Sequence, residues 1–112
     1  MDSILTTIKK LLGLPEEVEE FDTDIIMHIN SVLAVLTQLG VGPETGFHIT
    51  GKNETWTDFI DDDQLIAEVK SYMYMKIRLI FDPPTNSSVS ASFERLISEF
   101  EWRCYAEMDN RK

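Results

Sequence analysis

The residues with the greatest chemical potential are few and scattered. His28 and His48 stand twenty positions apart, and neither has a Cys or Glu partner at metal-ligand spacing such as H-E-x-x-H. Asp61, Asp62 and Asp63 form a compact acidic run. A calcium loop would need a wider alternating pattern with a glycine and a distal Glu. Three acids in front of an apolar periodic segment are better explained as a helix N-terminus, with one of them capping. Glu16, Glu17, Glu19 and Glu20 are paired carboxylates in a polar stretch. General acid catalysis needs a carboxyl with a raised pKa in apolar surroundings, and this stretch offers none. Cys104 is the single cysteine. It rules out an intrachain disulfide and a cysteine zinc site, and it reads as a small buried apolar residue. No glycine-rich phosphate loop and no G-x-S-x-G elbow occurs. The expectation is therefore a protein that is not an enzyme, with no catalytic, cofactor-binding or metal-binding residues.

Charge narrows the reading further. The net charge is −10 over 112 residues, and it is unevenly placed. Residues 1–63 hold three lysines against thirteen acids, whereas residues 64–112 hold seven bases and seven acids. Phosphate-directed DNA binding draws on Lys and Arg, so this chain should not grip DNA. The acidic half suits plain solubility, a surface that DNA passes without sticking, or a docking face for a basic partner. The start "MDSILTTIKKLLGL" lacks the charge order and cleavage site of a signal peptide, and no apolar run approaches a membrane span. A reducing, cytosolic setting is expected.

The elements that would position these residues are mainly helical. Ile4, Leu5, Ile8, Leu11 and Leu12 have helical spacing, and Gly13 and Pro15 end that segment. The acidic linker "LPEEVEEFD" follows. Asp22 is a plausible N-cap, and Phe21 with Ile26 suits a hydrophobic staple. Ile25, Ile26, Ile29, Val32, Leu33, Leu36 and Leu39 then form one stripe, closed by Gly40. Residues 41–63 are irregular: "GFHIT" alternates like a short strand, and "TWTDFI" reads as a helical turn capped by Thr55. Trp56, Phe59 and Ile60 would pin this loop to the core.

A helix from Gln64 to Phe81 carries Leu65, Ile66, Val69, Tyr72, Met73, Ile77, Ile80 and Phe81 over more than half its circumference, as in a central helix. Asp82-Pro83-Pro84 stops it, since proline lacks the amide and disfavours helix in the residue before it. The last helix should begin near Ser88 or Ser90, reach about Met108, and bury Val89, Phe93, Leu96, Ile97, Phe100 and Cys104. Trp102 falls about 180° from Phe93 at 100° per residue, on a face shared with Arg95, Ser98 and Ala106. Two placements fit it: an exposed interface residue beside an arginine, or a side chain packed under the linker or the 41–63 loop. The fold class is thus all-α, a small single-domain bundle of about four helices over 1–112 with a long central helix and an irregular 41–63 loop. Residues 106–112 should form a mobile tail.

The stretches "DSILTTIKKLLGLP", "FDTDIIMHINSVLAVLTQLGVGP", "TWTDFI", "VKSYMYMKIRLIFDPPTNS" and "FERLISEFEWR" together resemble the phage head-tail connector (adaptor) family of tailed phages and prophages of Gram-positive bacteria. The resemblance covers nearly the whole chain, and "HINSVL…LTQLGVGP" and "KIRLIFDPP" carry most of it. It implies a small helical subunit without catalytic residues. Such subunits form a ring, twelvefold in the virion, under the portal protein at the capsid vertex. The ring extends the DNA channel and offers a platform for a head-completion, stopper or tail protein, and DNA passes through without specific binding. The subunit would live in the host cytoplasm during assembly and in the virion neck afterwards, with no membrane involved.

A ring needs two different patches per subunit. Arg95, Trp102 and Arg103 are candidates for one. Trp56 and Phe59 in the 41–63 loop are candidates for the other, or for contact with the next neck protein. The C-terminal segment, with Tyr105, is a candidate for portal contact. Two rivals remain at this point: another neck component, and an acidic DNA mimic. A mimic is expected to spread acids along a helix face, which the clearest helices here do not. Replacing Pro83 and Pro84 by Ala is expected to loosen the turn and impair assembly. Unchanged ring formation with an unchanged melting temperature would count against that role.

Overall fold

The computed structural model describes the backbone of residues 3–110 and the side chains of residues 3–107. Five helices follow one another: α1 (Ile4–Leu11), α2 (Asp22–Gln38), α3 (Trp56–Phe59), α4 (Asp63–Phe81) and α5 (Ser87–Asn110). α4 is the middle of the molecule. α1 and α2 pack on it and on each other, while α5 packs chiefly on α4. The chain is all-α, and the expected central helix is α4.

Each helix has a local cause. Ser3 caps α1, its hydroxyl accepting the Thr6 N–H at 3.0 Å. Asp62 caps α4, its carboxylate accepting the N–H groups of Gln64 and Leu65 at 3.1 Å, so one of the three consecutive acids serves as the cap. At the other end of α4 the Arg78 guanidinium donates to the Asp82 carbonyl at 2.9 Å, which satisfies a carbonyl left over by the helix end. Asp82 leaves the helical region (φ −148°, ψ 73°), as the following proline disfavours helix in the residue before it. Asn86 then accepts the Ser88 N–H at 2.8 Å and α5 begins at once.

The core is a single cluster that runs from α1 through α2 and α4 to one seam of α5. Trp56 is its largest fully buried side chain. Its indole N–H donates to the Thr7 hydroxyl at 3.0 Å, and the Lys70 ammonium lies 5.6 Å from its ring centre. Phe59 is also buried and meets Phe47 at 5.3 Å between ring centres. Gly42 makes room for it: a Cβ on Gly42 would stand 2.4 Å from Phe59 Cε1, and its φ of +87° is itself a glycine conformation. The loop is thus pinned as the sequence implied.

Three expectations need correction. "GFHIT" is not a strand. Ile49 is buried and His48 exposed, as alternation requires, but no neighbouring strand pairs with them; only an isolated bridge joins Ser3 and Thr55. The Asn30 carboxamide replaces the missing ladder, accepting the Ile49 N–H at 2.7 Å and donating to the Ile49 carbonyl at 3.0 Å. Glu54 closes the following turn by accepting from the N–H and hydroxyl of Thr50. Burial works against its charge, but these hydrogen bonds, with others from the Glu54 and Gly51 amides, outweigh it and hold its carboxyl below the usual value.

The second correction is Asp22, which does not cap α2. The helix starts at Asp22 itself, after Phe21, with no side-chain cap. The carboxylate is drawn instead to Lys9, whose ammonium lies 2.8 Å away. Lys9 is only 2% exposed and also donates to the carbonyls of Glu16 at 2.9 Å and Val18 at 2.6 Å. It folds the acidic linker, residues 14–21, into a strap fixed between α1 and α2. Third, Val89, Leu96 and Ile80 are exposed at 39%, 44% and 65% rather than buried. α5 packs chiefly on α4, so only a narrow seam of it is covered. The last helix reaches Asn110, near the expected Met108, and Arg111 and Lys112 of the expected tail lie outside the described residues.

Removing Lys9 leaves the Asp22 charge and two carbonyls without their partner. Lys9→Ala is expected to cost about 3 kcal/mol or more, the usual penalty for breaking a buried pair from one side. Urea denaturation measures it. A loss within about 0.5 kcal/mol, the range of ordinary surface substitutions, would show the strap to be held by other contacts.

Candidate interaction surface

The α4–α5 seam decides what α5 shows to the outside. Ile97, Phe100 and Cys104 are its buried residues. Phe100 lies against Tyr72 with ring centres 4.7 Å apart, and Phe93 meets Tyr74 edge-on at 6.0 Å. Beside this stack the Tyr72 hydroxyl donates to Glu101 at 2.6 Å, and Lys76 reaches the same carboxylate oxygen at 3.2 Å. Burial pushes the Tyr72 phenol far up, and the bond to Glu101 and its charge push it further. Burial likewise raises the Cys104 thiol, with the Glu107 charge adding to it. Thiol reactivity needs the thiolate, so Cys104 behaves as a packing residue.

With the seam fixed, the opposite face of α5 turns outward. Trp102 is 69% exposed, so of its two open placements the structure selects the outer face. Arg95, Ser98, Glu99, Trp102 and Arg103 line a shallow depression of about 450 Å³ along this face. Tyr105, 65% exposed, follows within the next turn. Arg103 leans back toward α4, 3.4 Å from Glu68 and over the Phe100 ring. The structure therefore brings Arg95, Trp102, Arg103 and Tyr105 together on one helix.

Trp56 and Phe59 do not join them. Both side chains are inside the core, 0% and 3% exposed, so the interface role expected of them is not open to this fold. Pinning the loop consumes the same apolar surface that a partner would need. Asp82, Pro83 and Pro84 form the turn between α4 and α5, at the far end from Trp102.

A second groove was not foreseen. Lys76, Leu79 and Ile80 of α4 with Glu94, Ile97 and Ser98 of α5 line a depression of about 440 Å³. A smaller one of about 170 Å³ continues from Lys76 and Ile80 to His28, Ser31 and Val35 of α2. The signal for it was legible. Leu96 stands about 60° off the line of Phe93 and Phe100, and α4 carries apolar residues over more of its circumference than its neighbours cover. His28 is half-buried on α2 and His48 exposed on the loop. Among the described residues no group of three or more His, Cys, Asp or Glu is placed to hold a metal ion, and no helix is long and apolar enough to cross a membrane.

A small helical bundle that leaves one aromatic and basic helix face outside offers a surface for contact with other proteins. The comparison with known families makes this specific: residues 4–111 match the model of the phage connector protein family. The chain belongs to that family, and its role is that of a structural connector in phage particles. No curated protein and no solved structure matches it.

The Tyr72–Glu101 bond gives a pH prediction. Folding raises the Tyr72 pKa above its ordinary value of 10.0. The unfolded chain then loses its proton first as pH rises, so the contribution is present below about pH 10 and is lost above it. Stability measured by denaturant should fall as pH climbs past about 10, and Tyr72→Phe should flatten that fall. An equal fall in the variant would remove Tyr72 as its source.

Proposed function

We propose that this chain is a head-tail connector of the adaptor type, a subunit that assembles into a ring under the portal, prolongs the DNA channel and offers a platform to the next neck or tail protein. The observation that carries the reading is the family match over 108 residues, nearly the whole chain. It fits what the surface offers. Half of the chain holds the entire acidic excess, and acids facing a channel repel the phosphate backbone, so DNA slides rather than sticks. An adaptor must be rigid where it meets its neighbours. The α4–α5 pair supplies that, braced by Tyr72, Lys76 and Glu101 and by two aromatic contacts.

Other neck proteins of the same particle are the nearest alternative, and a DNA mimic the next. Most acids of this chain lie in the strap, the 41–63 loop and helix starts, and those along α5 alternate with Arg95 and Arg103 instead of forming an unbroken acidic row, which disfavours the mimic. The partners in this reading are further copies of the chain, twelve in the virion, the portal protein, and a stopper or tail protein. Mixing purified chain with portal protein should give rings stacked on portal in negative-stain images, with a matching mass by light scattering. Portal particles that remain bare, or a chain that competes with DNA for a DNA-binding protein, would overturn the reading.

A further inference from the structure

We infer that the outer face of α5, centred on Arg95 and Trp102, docks on the acidic strap of the neighbouring copy, through Glu16, Glu17 and Glu20. The inference rests on the ring reading above and names the two surfaces that would meet.

Charge supplies the first argument. Arg95 is exposed and makes no hydrogen bond, ion pair or ring contact within its own subunit, whereas Arg78 and Arg103 are engaged with Asp82 and Glu68. On the strap, Glu16, Glu17, Glu19 and Glu20 all face outward. Among the described residues they are met only loosely, by Lys52 at 4.0 Å from Glu19. A cation without a partner and a set of carboxylates short of cations are complementary. Trp102 and Tyr105 beside the arginine add apolar area and rigid rings, the residue types that dominate protein interfaces.

Geometry supplies the second. α5 covers one side of α4 while α1 and α2 cover another, so the Trp102 face and the strap belong to different layers. The α5 face runs along most of α4, with Glu94 and Ser98 beside Leu79 and Ile80 near its end, while the strap meets α4 only at its last turn. Arg103 and Cys104 sit by Glu68 and Leu65 near the start of α4, and the strap ends at Phe21, which touches Phe81. Two complementary patches on different sides of one subunit give a head-to-tail contact, the kind a ring requires; a single self-complementary patch would stop at a dimer. The other acidic run does not meet this condition. Asp62 shares a depression with Cys104 and Glu107, so that run lies beside α5 and not on a separate side of the subunit.

Preorganisation supplies the third. Lys9 grips the strap through two backbone carbonyls and Asp22, leaving the glutamate side chains to point away. The strap is therefore already ordered when a partner arrives, and binding does not have to order it.

The test is a charge reversal in the full-length chain with portal protein present. Arg95→Glu should lower the fraction of rings on portal about tenfold or more while the melting temperature stays at the wild-type value. Glu16→Lys, Glu17→Lys and Glu20→Lys together should do the same, and combining them with Arg95→Glu should restore assembly to within about threefold of wild type. Trp102→Ser, an exposed change, should weaken assembly without altering the circular dichroism spectrum. If either reversal leaves assembly intact, or the combination fails to restore it, this pairing is wrong while the ring reading survives on the wild-type rings. If the wild-type chain forms no rings with portal, both fall together.

Discussion

Lys9 is the contact on which the arrangement of this molecule depends. Its ammonium is taken out of water and surrounded by two carbonyl oxygens and the Asp22 carboxylate. A buried cation is tolerated only when its partners are complete. The partners here come from three separate points in the chain, Glu16, Val18 and the first residue of α2. Satisfying one charge therefore fixes the path of the whole strap and sets where α2 starts relative to α1. Asp22 serves this purpose instead of capping its own helix. The neighbouring glutamates are carried along with the backbone and left in solvent. The acidic character of the first half becomes a presented surface rather than a diffuse property.

The same economy of polar partners governs the irregular region. An alternating segment normally satisfies its backbone by pairing with another strand. Here one carboxamide, Asn30, serves both polar groups of Ile49, so a loop can hold a buried residue without any sheet. Trp56 and Phe59 complete the fixing from the other side. Residues 41–60 are for this reason part of the core despite having little regular structure, and their aromatic side chains are not available to partners.

The opposite holds for α5. It is the longest helix, held to α4 by one seam of aromatic contacts, the Glu101 carboxylate shared by Tyr72 and Lys76, and the Arg103–Glu68 pair. A helix attached in this way contributes rigidity to α4 while keeping most of its own surface outside. That suits a connector subunit, whose work is done by surfaces rather than by a pocket. It also explains why the apolar residues Val89, Leu96 and Trp102 coexist with a sound core: they are surplus to the fold of one copy.

Much of this was legible in the sequence. Helical spacing in the first 39 residues and in 64–81, glycine at the helix ends and the Asp-Pro-Pro break set the number, order and boundaries of the main helices, because those signals act within a few residues. The absence of catalytic spacing and the position of Trp102 opposite Phe93 were visible for the same reason. Tertiary structure decided the rest. Periodicity tells which residues share a face but not how many neighbours that face will meet, so Leu96 and Ile80 were expected inside and stand outside. A lone lysine at helical distance from Leu5 carries no local mark of being buried. Its role depends on carbonyls seven and nine residues further on, and only the folded backbone brings those within reach.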